Sequence, residues 1–226
     1  MSPMTSKIDM PIVPIFRGPD VSLFAGTGFI MDNYLVTAGH VVSGIQDYFT
    51  YIDGKFVSLS VYDRVINRNI TRETFDQDIA VYPFGGIGSI LKLSELSHLQ
   101  SDEVSVCCYQ NTNEGLRMVI TEGVICPSGT NQLIKLSTIQ RITHGSSGGP
   151  IVQDNTIVGM VVMGNEVVRY DKETAMACGL SEDDIELLER METNSIYAIP
   201  AVRINEFIKK WFKKPRIELI QAGMAL

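Results

Sequence analysis

The stretch that decides the fold is Gly145-Ser146-Ser147-Gly148-Gly149-Pro150, which the apolar pair Ile151-Val152 follows directly. Glycines on both sides of a serine let the backbone bend sharply, so that the hydroxyl is exposed and successive N–H groups can point into one pocket. Acyl transfer needs this arrangement, because the hydroxyl attacks a carbonyl carbon while N–H donors stabilise the oxyanion. The segment predicts a nucleophile at Ser147 and an oxyanion hole formed by the N–H groups of Gly145 and Ser147. The alternative is a Gly/Ser-rich hairpin loop without chemistry.

A serine nucleophile needs a base, and the chain has three histidines, His40, His98 and His144. His98 lies in a segment typical of a surface helical turn. His144 is too close to Ser147 along the chain to approach its hydroxyl easily as an oriented base. His40 follows an apolar run and a small-residue turn, which leaves room for a substrate. Elimination therefore favours His40 as the base, and a buried structural histidine is the alternative.

The imidazole of such a base needs a carboxylate to orient it. Asp76 and Asp78 lie in one segment, and Asp78 directly precedes the apolar run 79–82. Asp78 is therefore expected at the start of a buried strand, and Asp76 is expected to be exposed. An acid at the start of a strand is more often an ordinary turn residue, so position alone leaves this assignment open.

Short β-rich segments with turn signals between them recur along the chain, and the dipeptide Asp32-Asn33 indicates a hairpin turn. Many short strands with little helix between them are typical of closed or nearly closed antiparallel barrels. The strands are predicted at residues 12–16, 22–31, 34–37, 56–62, 78–82, 104–110, 116–125, 133–138, 150–152, 156–163 and 195–199.

Two helices are predicted in the last part of the chain, one on each side of the strand at 195–199. Ser181 opens the first like a capping box, and Ile185, Leu188 and Met191 share one face. The second begins near Pro200. Its residues expected to pack inward are Val202, Ile204, Phe207, Ile208 and Trp211.

Composition and charge exclude several classes of protein. The formal net charge of −7 argues against a nucleic-acid binder, whose surface is usually basic. No apolar run reaches the ~18 residues that a membrane span requires. The four cysteines have no metal-ligand spacing, so neither a metal nor a cofactor is expected. Without a recognisable signal peptide at the start, the chain is expected in a reducing cytoplasm with free thiols.

Three segments together resemble the signature blocks of chymotrypsin-like serine proteases: Thr37–His40, Asp78-Ile79-Ala80 and the stretch 145–150. Their order along the chain, His, Asp, Ser, is also that of this family. The resemblance covers about residues 10–165, and Tyr197-Ala198-Ile199-Pro200 is similar to the end of the protease domain in the Deg-type (high-temperature-requirement) branch, here without a PDZ module.

The resemblance implies an all-β fold of two six-stranded antiparallel β-barrels with an inserted helix and a C-terminal helix. A single serine protease unit would occupy residues 1–226. Its parts would be an N-terminal barrel at 10–90, a C-terminal barrel at 100–200 with an insertion at 165–194, and a helix at 201–214.

The resemblance also implies the role of each site residue. Ser147 would be the nucleophile, with the N–H groups of Gly145 and Ser147 as the oxyanion hole. His40 would be the general base and then the acid that protonates the leaving amine. Asp78 would hold the tautomer of the imidazole and stabilise imidazolium.

Substrate binding is expected along the strand 160–164, which would run antiparallel to the peptide. Arg141 falls near the base of the S1 pocket by analogy, where a guanidinium would favour an acidic P1 residue. The alternative is that Arg141 points to solvent or pairs with a nearby acid. The residues implied in substrate binding are Arg141, His144, Val162, Met163 and Gly164.

One departure from the secreted branch is Ser146, which stands where many relatives have an aspartate. We therefore expect no activating cleavage at the N-terminus. The loop 143–146 would instead be ordered by its own hydrogen bonds, by neighbouring loops or by an activating protein partner. The insertion is expected to border the substrate cleft as a lid or exosite, or to be a decorative helix. Its helix would present Glu182, Asp183, Asp184, Glu186 and Glu189.

These observations favour a serine endopeptidase of narrow specificity in the cytosol, with a protein or peptide as substrate. A virus-encoded processing enzyme is a sub-case. Many such enzymes carry a histidine in the substrate strand, where this chain has Val161, and that counts against the sub-case. The alternative from another class is a catalytically weak binding or scaffold protein on a protease fold.

Overall fold

The structure is a computed structural model, and it describes residues 12–60, 65–66, 77–84, 92–94, 103–126, 133–164, 172, 176 and 181–212. Asp76, His98 and Cys178 lie outside these ranges, as does the end of the strand predicted at 56–62. That strand ends at Ser58. The other predicted strands are all present, with ends that differ by at most two residues.

The N-terminal half forms a seven-stranded antiparallel sheet with the order β5-β4-β1-β2-β3-β7-β6. Among the described strands no pairing joins β5 to β6, so this sheet is a half-barrel, which agrees with the prediction of closed or nearly closed barrels. Two short 3₁₀ turns lie at Val21–Leu23 and Gly39–Val42. The strands are β1 (Ile12–Phe16), β2 (Phe24–Met31), β3 (Tyr34–Ala38), β4 (Phe49–Ile52), β5 (Lys55–Ser58), β6 (Val65–Ile66) and β7 (Ile79–Pro83).

The C-terminal half forms a closed antiparallel barrel. Its order is β12-β9-β10-β11-β14-β13, and β12 also pairs with β13, which closes the circle of six strands. A short strand, β8, pairs parallel with β13. The strands are β8 (Lys92–Leu93), β9 (Glu103–Thr112), β10 (Gly115–Cys126), β11 (Ile134–Thr138), β12 (Pro150–Gln153), β13 (Thr156–Gly164) and β14 (Ser195–Pro200). The fold is thus the mostly-β, chymotrypsin-like double barrel that the sequence predicted.

Tight turns set the register of the hairpins. The predicted turn Asp32-Asn33 joins β2 to β3. Asp154 and Asn155 both have positive φ, 46° and 61°, as a type I′ turn requires, and they join β12 to β13. Asp53-Gly54 forms a similar turn between β4 and β5, a hairpin that the sequence analysis missed.

Two helices are described, α1 (Glu182–Thr193) and α2 (Ala201–Phe212). The capping box of α1 is confirmed, since the Ser181 hydroxyl and N–H both donate to Asp184 Oδ2 at 2.5 and 3.1 Å, while the Asp184 N–H donates to Ser181 Oγ at 3.2 Å. The hydrogen bond from the Ser181 hydroxyl, and to a smaller extent that from the Ser181 N–H, hold the pKa of Asp184 below its usual value. In the part of the chain that is described, neither helix has the length and apolar character needed to cross a membrane.

Two expectations about the helices are wrong. Glu189 is buried in α1 rather than presented with the other acids, because it lies one turn after the buried Ile185 on the same face. Trp211 is 53% exposed rather than packed inward, and its ring lies against Phe207 and under Lys210 Nζ. Residues 213–214, predicted as the end of α2, lie outside the described ranges.

The core that joins the two halves contains residues of both sheets. Ile157, Met160 and Val162 of β13 belong to the same buried cluster as the interior residues of the N-terminal sheet. Ile204 and Ile208 of α2 complete this cluster. A second buried cluster fills the closed barrel. The junction of the sheets is therefore packed with apolar side chains, and the loops at its edge carry the candidate site.

Candidate active site

His40 and Asp78 are brought together by the pairing of β3 with β7. Ala38 lies opposite Ile79, so the residues just after β3 meet the residue just before β7. His40 Nδ1 lies 2.5 Å from Asp78 Oδ2, the His40 N–H donates to Asp78 Oδ1 at 2.8 Å, and the Gly39 N–H donates to the Asp78 carbonyl oxygen at 3.0 Å. Asp78 is fully buried.

This pair is arranged for proton transfer. A carboxylate acceptor at Nδ1 favours the tautomer that carries its hydrogen on Nδ1, which leaves Nε2 free to accept a proton. The side chain of His40 is 44% exposed, whereas that of Asp78 is inaccessible. The open side of the imidazole therefore faces the region that a substrate can reach.

Ser147 lies in the loop between β11 and β12, and its neighbouring glycines are in the left-handed region. Gly145 has φ +97° and Gly148 has φ +87°. A Cβ at Gly148 would lie 2.0 Å from the Thr27 carbonyl oxygen, so only glycine fits that position. The Gly148 N–H donates to the Val161 carbonyl oxygen at 2.7 Å, and the Val161 N–H donates to the Gly149 carbonyl oxygen at 2.9 Å. The loop is thereby joined to β13.

The loop places Ser147 beside the segment that carries His40. The Ser147 carbonyl oxygen accepts from the Thr27 N–H at 2.9 Å. A Cβ atom built on Gly26 would lie 3.1 Å from this carbonyl oxygen and 2.7 Å from a methyl group of Val41, the residue after His40. The Ser147 Oγ lies 3.5 Å from the Val162 carbonyl oxygen, a weak hydrogen bond, and no hydrogen bond of the described residues joins it to His40.

Two backbone donors of the loop are unused. Within the described part of the chain, no hydrogen bond uses the N–H of Gly145 or of Ser147. Unpaired N–H groups beside a half-buried serine are what an oxyanion hole requires. The carbonyl oxygen of Gly145 is, in contrast, held by the Thr27 hydroxyl at 2.7 Å.

Gln110 of β9 holds the loop from its other side. Ser146 is buried, and its hydroxyl donates to the Thr143 carbonyl oxygen at 2.7 Å. Gln110 Nε2 donates to Ser146 Oγ at 3.2 Å, and Gln110 Oε1 accepts from the Thr143 hydroxyl at 3.0 Å. The loop is therefore ordered by its own hydrogen bonds and by β9, without a charge at position 146.

Sequence reasoning missed both Gln110 and Thr27. Each is a buried polar residue of a strand. A buried polar side chain must find a partner, so its presence was a signal. The identity of that partner was hidden, because Thr27 and Gly145 are 118 residues apart.

The adjacent cysteines of β9 are part of the core. Burial, with a smaller contribution from Cys108, raises the pKa of Cys107 to about 12, and burial also raises the pKa of Cys108. Cys108 Sγ accepts from Gln110 Nε2 at 3.4 Å. Neither they nor any other described residues belong to a cluster of three or more side chains suited to hold a metal ion.

The residues implied in substrate binding line one edge of the site. In β13 Val162 is buried, Met163 is half-buried and Gly164 is exposed, and the pairing with β14 is interrupted by a bulge between Val161 and Met163. The Ile142 carbonyl oxygen lies 3.6 Å from the Cβ position of Gly164, so the segment 141–144 runs beside the end of β13.

Arg141 and His144 are both exposed on this segment. Arg141 forms no ion pair with the described residues. The structure thus places the segment that carries both residues beside the end of β13.

The chain resembles known proteases. The family model described as "Trypsin-like peptidase domain" matches residues 26–160. No match was found among curated protein sequences. The inactive form of the Rv3671c protease of M. tuberculosis is 16% identical, with a TM-score of 0.57 and 92% of each chain covered.

Two further solved structures have the same fold. The HtrA-type protease AlgW, solved with a decapeptide, is 18% identical with a TM-score of 0.55, and the match covers 84% of this chain and 53% of that chain. The serine endoprotease from Yersinia pestis is 16% identical with a TM-score of 0.59, and the match covers 90% of this chain and 63% of that one. At these identities the likeness establishes the fold alone.

Proposed function

Since the chain belongs to the family of trypsin-like peptidase domains, we propose that it is a serine endopeptidase that works through an acyl-enzyme. The observation that carries the proposal is the His40–Asp78 pair, hydrogen-bonded at 2.5 Å, together with a loop that carries Ser147. The N–H groups of Gly145 and Ser147 in this loop have no hydrogen-bond partner among the described residues. No other described histidine contacts a carboxylate.

In the proposed mechanism, the Ser147 hydroxyl turns from the Val162 carbonyl towards His40. Its oxygen attacks the scissile carbonyl carbon while His40 Nε2 takes its proton, and Asp78 stabilises the resulting imidazolium. The N–H groups of Gly145 and Ser147 donate to the oxyanion. His40 then protonates the leaving amine, and a water molecule deprotonated by His40 hydrolyses the acyl-enzyme.

The substrate is proposed to be a protein or peptide that pairs with β13 through the backbone of Val162 and Gly164. Met163 would contact its side chains. Arg141 and His144 would select an acidic P1 residue, since both are exposed at this edge and Arg141 has no described ionic partner. This part of the proposal gives the narrow specificity.

The proposal includes a cytosolic setting. The three described cysteines, Cys107, Cys108 and Cys126, are unpaired, as expected in a reducing compartment. Four acids on α1 remain exposed, so the insertion keeps a negative surface that could receive a basic substrate segment or an activating partner.

Labelling with a fluorophosphonate probe tests the proposal. We expect the wild-type chain to be labelled and to cleave members of a peptide library, and Ser147→Ala to do neither. Ser146→Ala is the matched control, because it removes the adjacent hydroxyl and should still be labelled. Labelling that persists in Ser147→Ala, or a wild-type chain that cleaves no peptide, would favour the binding or scaffold protein.

The pH dependence tests the base. Activity should fall as the pH is lowered, because a protonated imidazole cannot accept the proton of Ser147. The rate of peptide cleavage by the wild-type chain measures this directly, with thermal unfolding followed at the same pH values as the control. A rate that stays flat from about pH 5 to 8 would contradict a histidine base.

A further inference from the structure

Thr27 of β2 is fully buried, and every polar group that it has is hydrogen-bonded. Its N–H donates to the Ser147 carbonyl oxygen at 2.9 Å, and its hydroxyl donates to the Gly145 carbonyl oxygen at 2.7 Å. Its Oγ1 accepts from the Tyr109 N–H at 2.9 Å, and its carbonyl oxygen accepts from the Thr37 hydroxyl at 2.6 Å. One residue therefore contacts both halves of the molecule.

The direction of the hydroxyl bond follows from its partners. An N–H can only donate, so the Tyr109 N–H occupies a lone pair of Thr27 Oγ1. The single hydroxyl hydrogen then points to the Gly145 carbonyl oxygen, which can only accept. Thr27 is thus a fixed donor towards Gly145.

The two carbonyl groups that Thr27 holds belong to Gly145 and Ser147, the same two residues whose N–H groups are unused. Fixing the carbonyl of a residue fixes the peptide plane that follows it, and so limits rotation of that residue. Gly145 has φ +97° and no Cβ, so its backbone opposes rotation less than that of any other residue type would. The hydroxyl bond supplies the constraint that glycine lacks.

We propose that Thr27 is a positioning residue for the oxyanion hole and that its hydroxyl acts through the Gly145 carbonyl. This inference rests on the proposed function. A donor in the C-terminal half is thereby restrained, through the rotation of Gly145, by a side chain of the N-terminal sheet. Because the oxyanion exists only in the transition state and the intermediate, loss of the hydroxyl lowers kcat and leaves KM almost unchanged.

Replacement of Thr27 by valine removes the hydroxyl and keeps the shape of the side chain. We expect kcat of Thr27→Val to fall about 10- to 100-fold, less than the 10²–10³ measured when an oxyanion donor is removed outright, with KM within about twofold. Binding of a peptide boronate, which mimics the tetrahedral intermediate, should weaken by a similar factor. Thr27→Ser keeps the donor and should restore kcat to within about threefold of wild type.

Thr50→Val is the matched control. Thr50 is also a fully buried threonine of the N-terminal sheet, and its hydroxyl donates to the Pro14 carbonyl oxygen at 3.0 Å, within the same sheet. It should lower the unfolding temperature, though by less than Thr27→Val because the Thr50 hydroxyl makes one of these bonds and the Thr27 hydroxyl makes two, and it should leave kcat and boronate binding unchanged. The comparison separates loss of a buried hydrogen bond from loss of position in the loop.

The inference is overturned if Thr27→Val keeps wild-type kcat, or if Thr50→Val loses as much kcat as Thr27→Val. Should Thr27→Val fail to fold, Thr27→Ala and Thr27→Ser isolate the hydroxyl, and equal kcat in these two would also overturn it. If Thr27→Val has the same kcat as an active wild type, this inference is wrong and the proposed endopeptidase function is unaffected. A wild type that neither reacts with fluorophosphonate nor cleaves peptides overturns both.

Discussion

The two halves of the molecule hold their parts of the site in different ways. His40 and Asp78 come from one sheet, and their segments are joined directly by three hydrogen bonds between neighbouring strands. Ser147 comes from the other half, and its loop depends on Thr27 across the junction and on Gln110 of β9. The His40–Asp78 pair is therefore set by the register of one sheet, whereas the position of Ser147, the proposed nucleophile, also depends on how the two halves pack.

The largest expected effect on kcat comes from replacing the proposed nucleophile or the proposed base, which lie in different halves of the molecule. Ser147→Ala and His40→Ala should each lower kcat by about 10⁴–10⁶, because nucleophile and base act as a unit. The double variant should be no worse than either single one, which steady-state rates on one peptide can establish. Additive losses would mean that the two halves do not cooperate in one step.

Asp78→Asn should lower kcat by about 10⁴, since an amide in place of the carboxylate favours the wrong tautomer of His40. The measurement is kcat on the same peptide, with circular dichroism to verify the fold. Asp76→Asn is the control and should keep full activity. Full activity in Asp78→Asn with loss in Asp76→Asn would show that the pairing of β3 with β7 does not select the catalytic carboxylate.

Gln110→Met should have an intermediate effect, because it removes the bonds to Ser146 and Thr143 and keeps the bulk of the side chain. The buried Ser146 hydroxyl and the hydroxyl of the exposed Thr143 each lose a partner, so we expect the free energy of unfolding to fall by about 1–3 kcal/mol and kcat to fall roughly tenfold. Gln140→Met is the control, because it makes the same change at an exposed glutamine three residues before Thr143. A destabilised variant with unchanged kcat would show that the loop needs only the contact across the junction.

Thiol reagents should have the smallest effect. With its pKa raised to about 12 by burial, only roughly one Cys107 side chain in 10⁴ is ionised at pH 8, and the raised pKa of Cys108 also disfavours its thiolate. Iodoacetamide at pH 8 should therefore leave kcat unchanged. Mass spectrometry should find at least two more labelled cysteines after denaturation than before. Inactivation of the native chain by labelling at Cys108 would mean that β9 opens beneath the nucleophile loop.

The sequence predicted most of the frame and the three residue types of the site, because each lies in a local pattern. His40 follows an apolar strand, Asp78 precedes one, and Ser147 lies between glycines. Thr27 and Gln110 could not be assigned in this way, because their partners are brought near only by tertiary packing. The same holds for Glu189, whose burial depends on what α1 packs against, and for Trp211, whose exposure depends on where α2 leaves the core.

Two hydrogen bonds described for the loop have a mechanical consequence. Gly148 and Gly149 are each bonded to Val161 of β13, at 2.7 and 2.9 Å, so nucleophile and proposed substrate strand share one rigid frame. A peptide paired with β13, as proposed, is thereby tied to Ser147 by bonds within the C-terminal half. The bonds from Thr27 to Gly145 and Ser147 tie the same loop to the sheet that carries His40. The loop is in this way braced from two sides, so a force acting between the halves strains it and disturbs alignment of the scissile bond and transfer of the proton together.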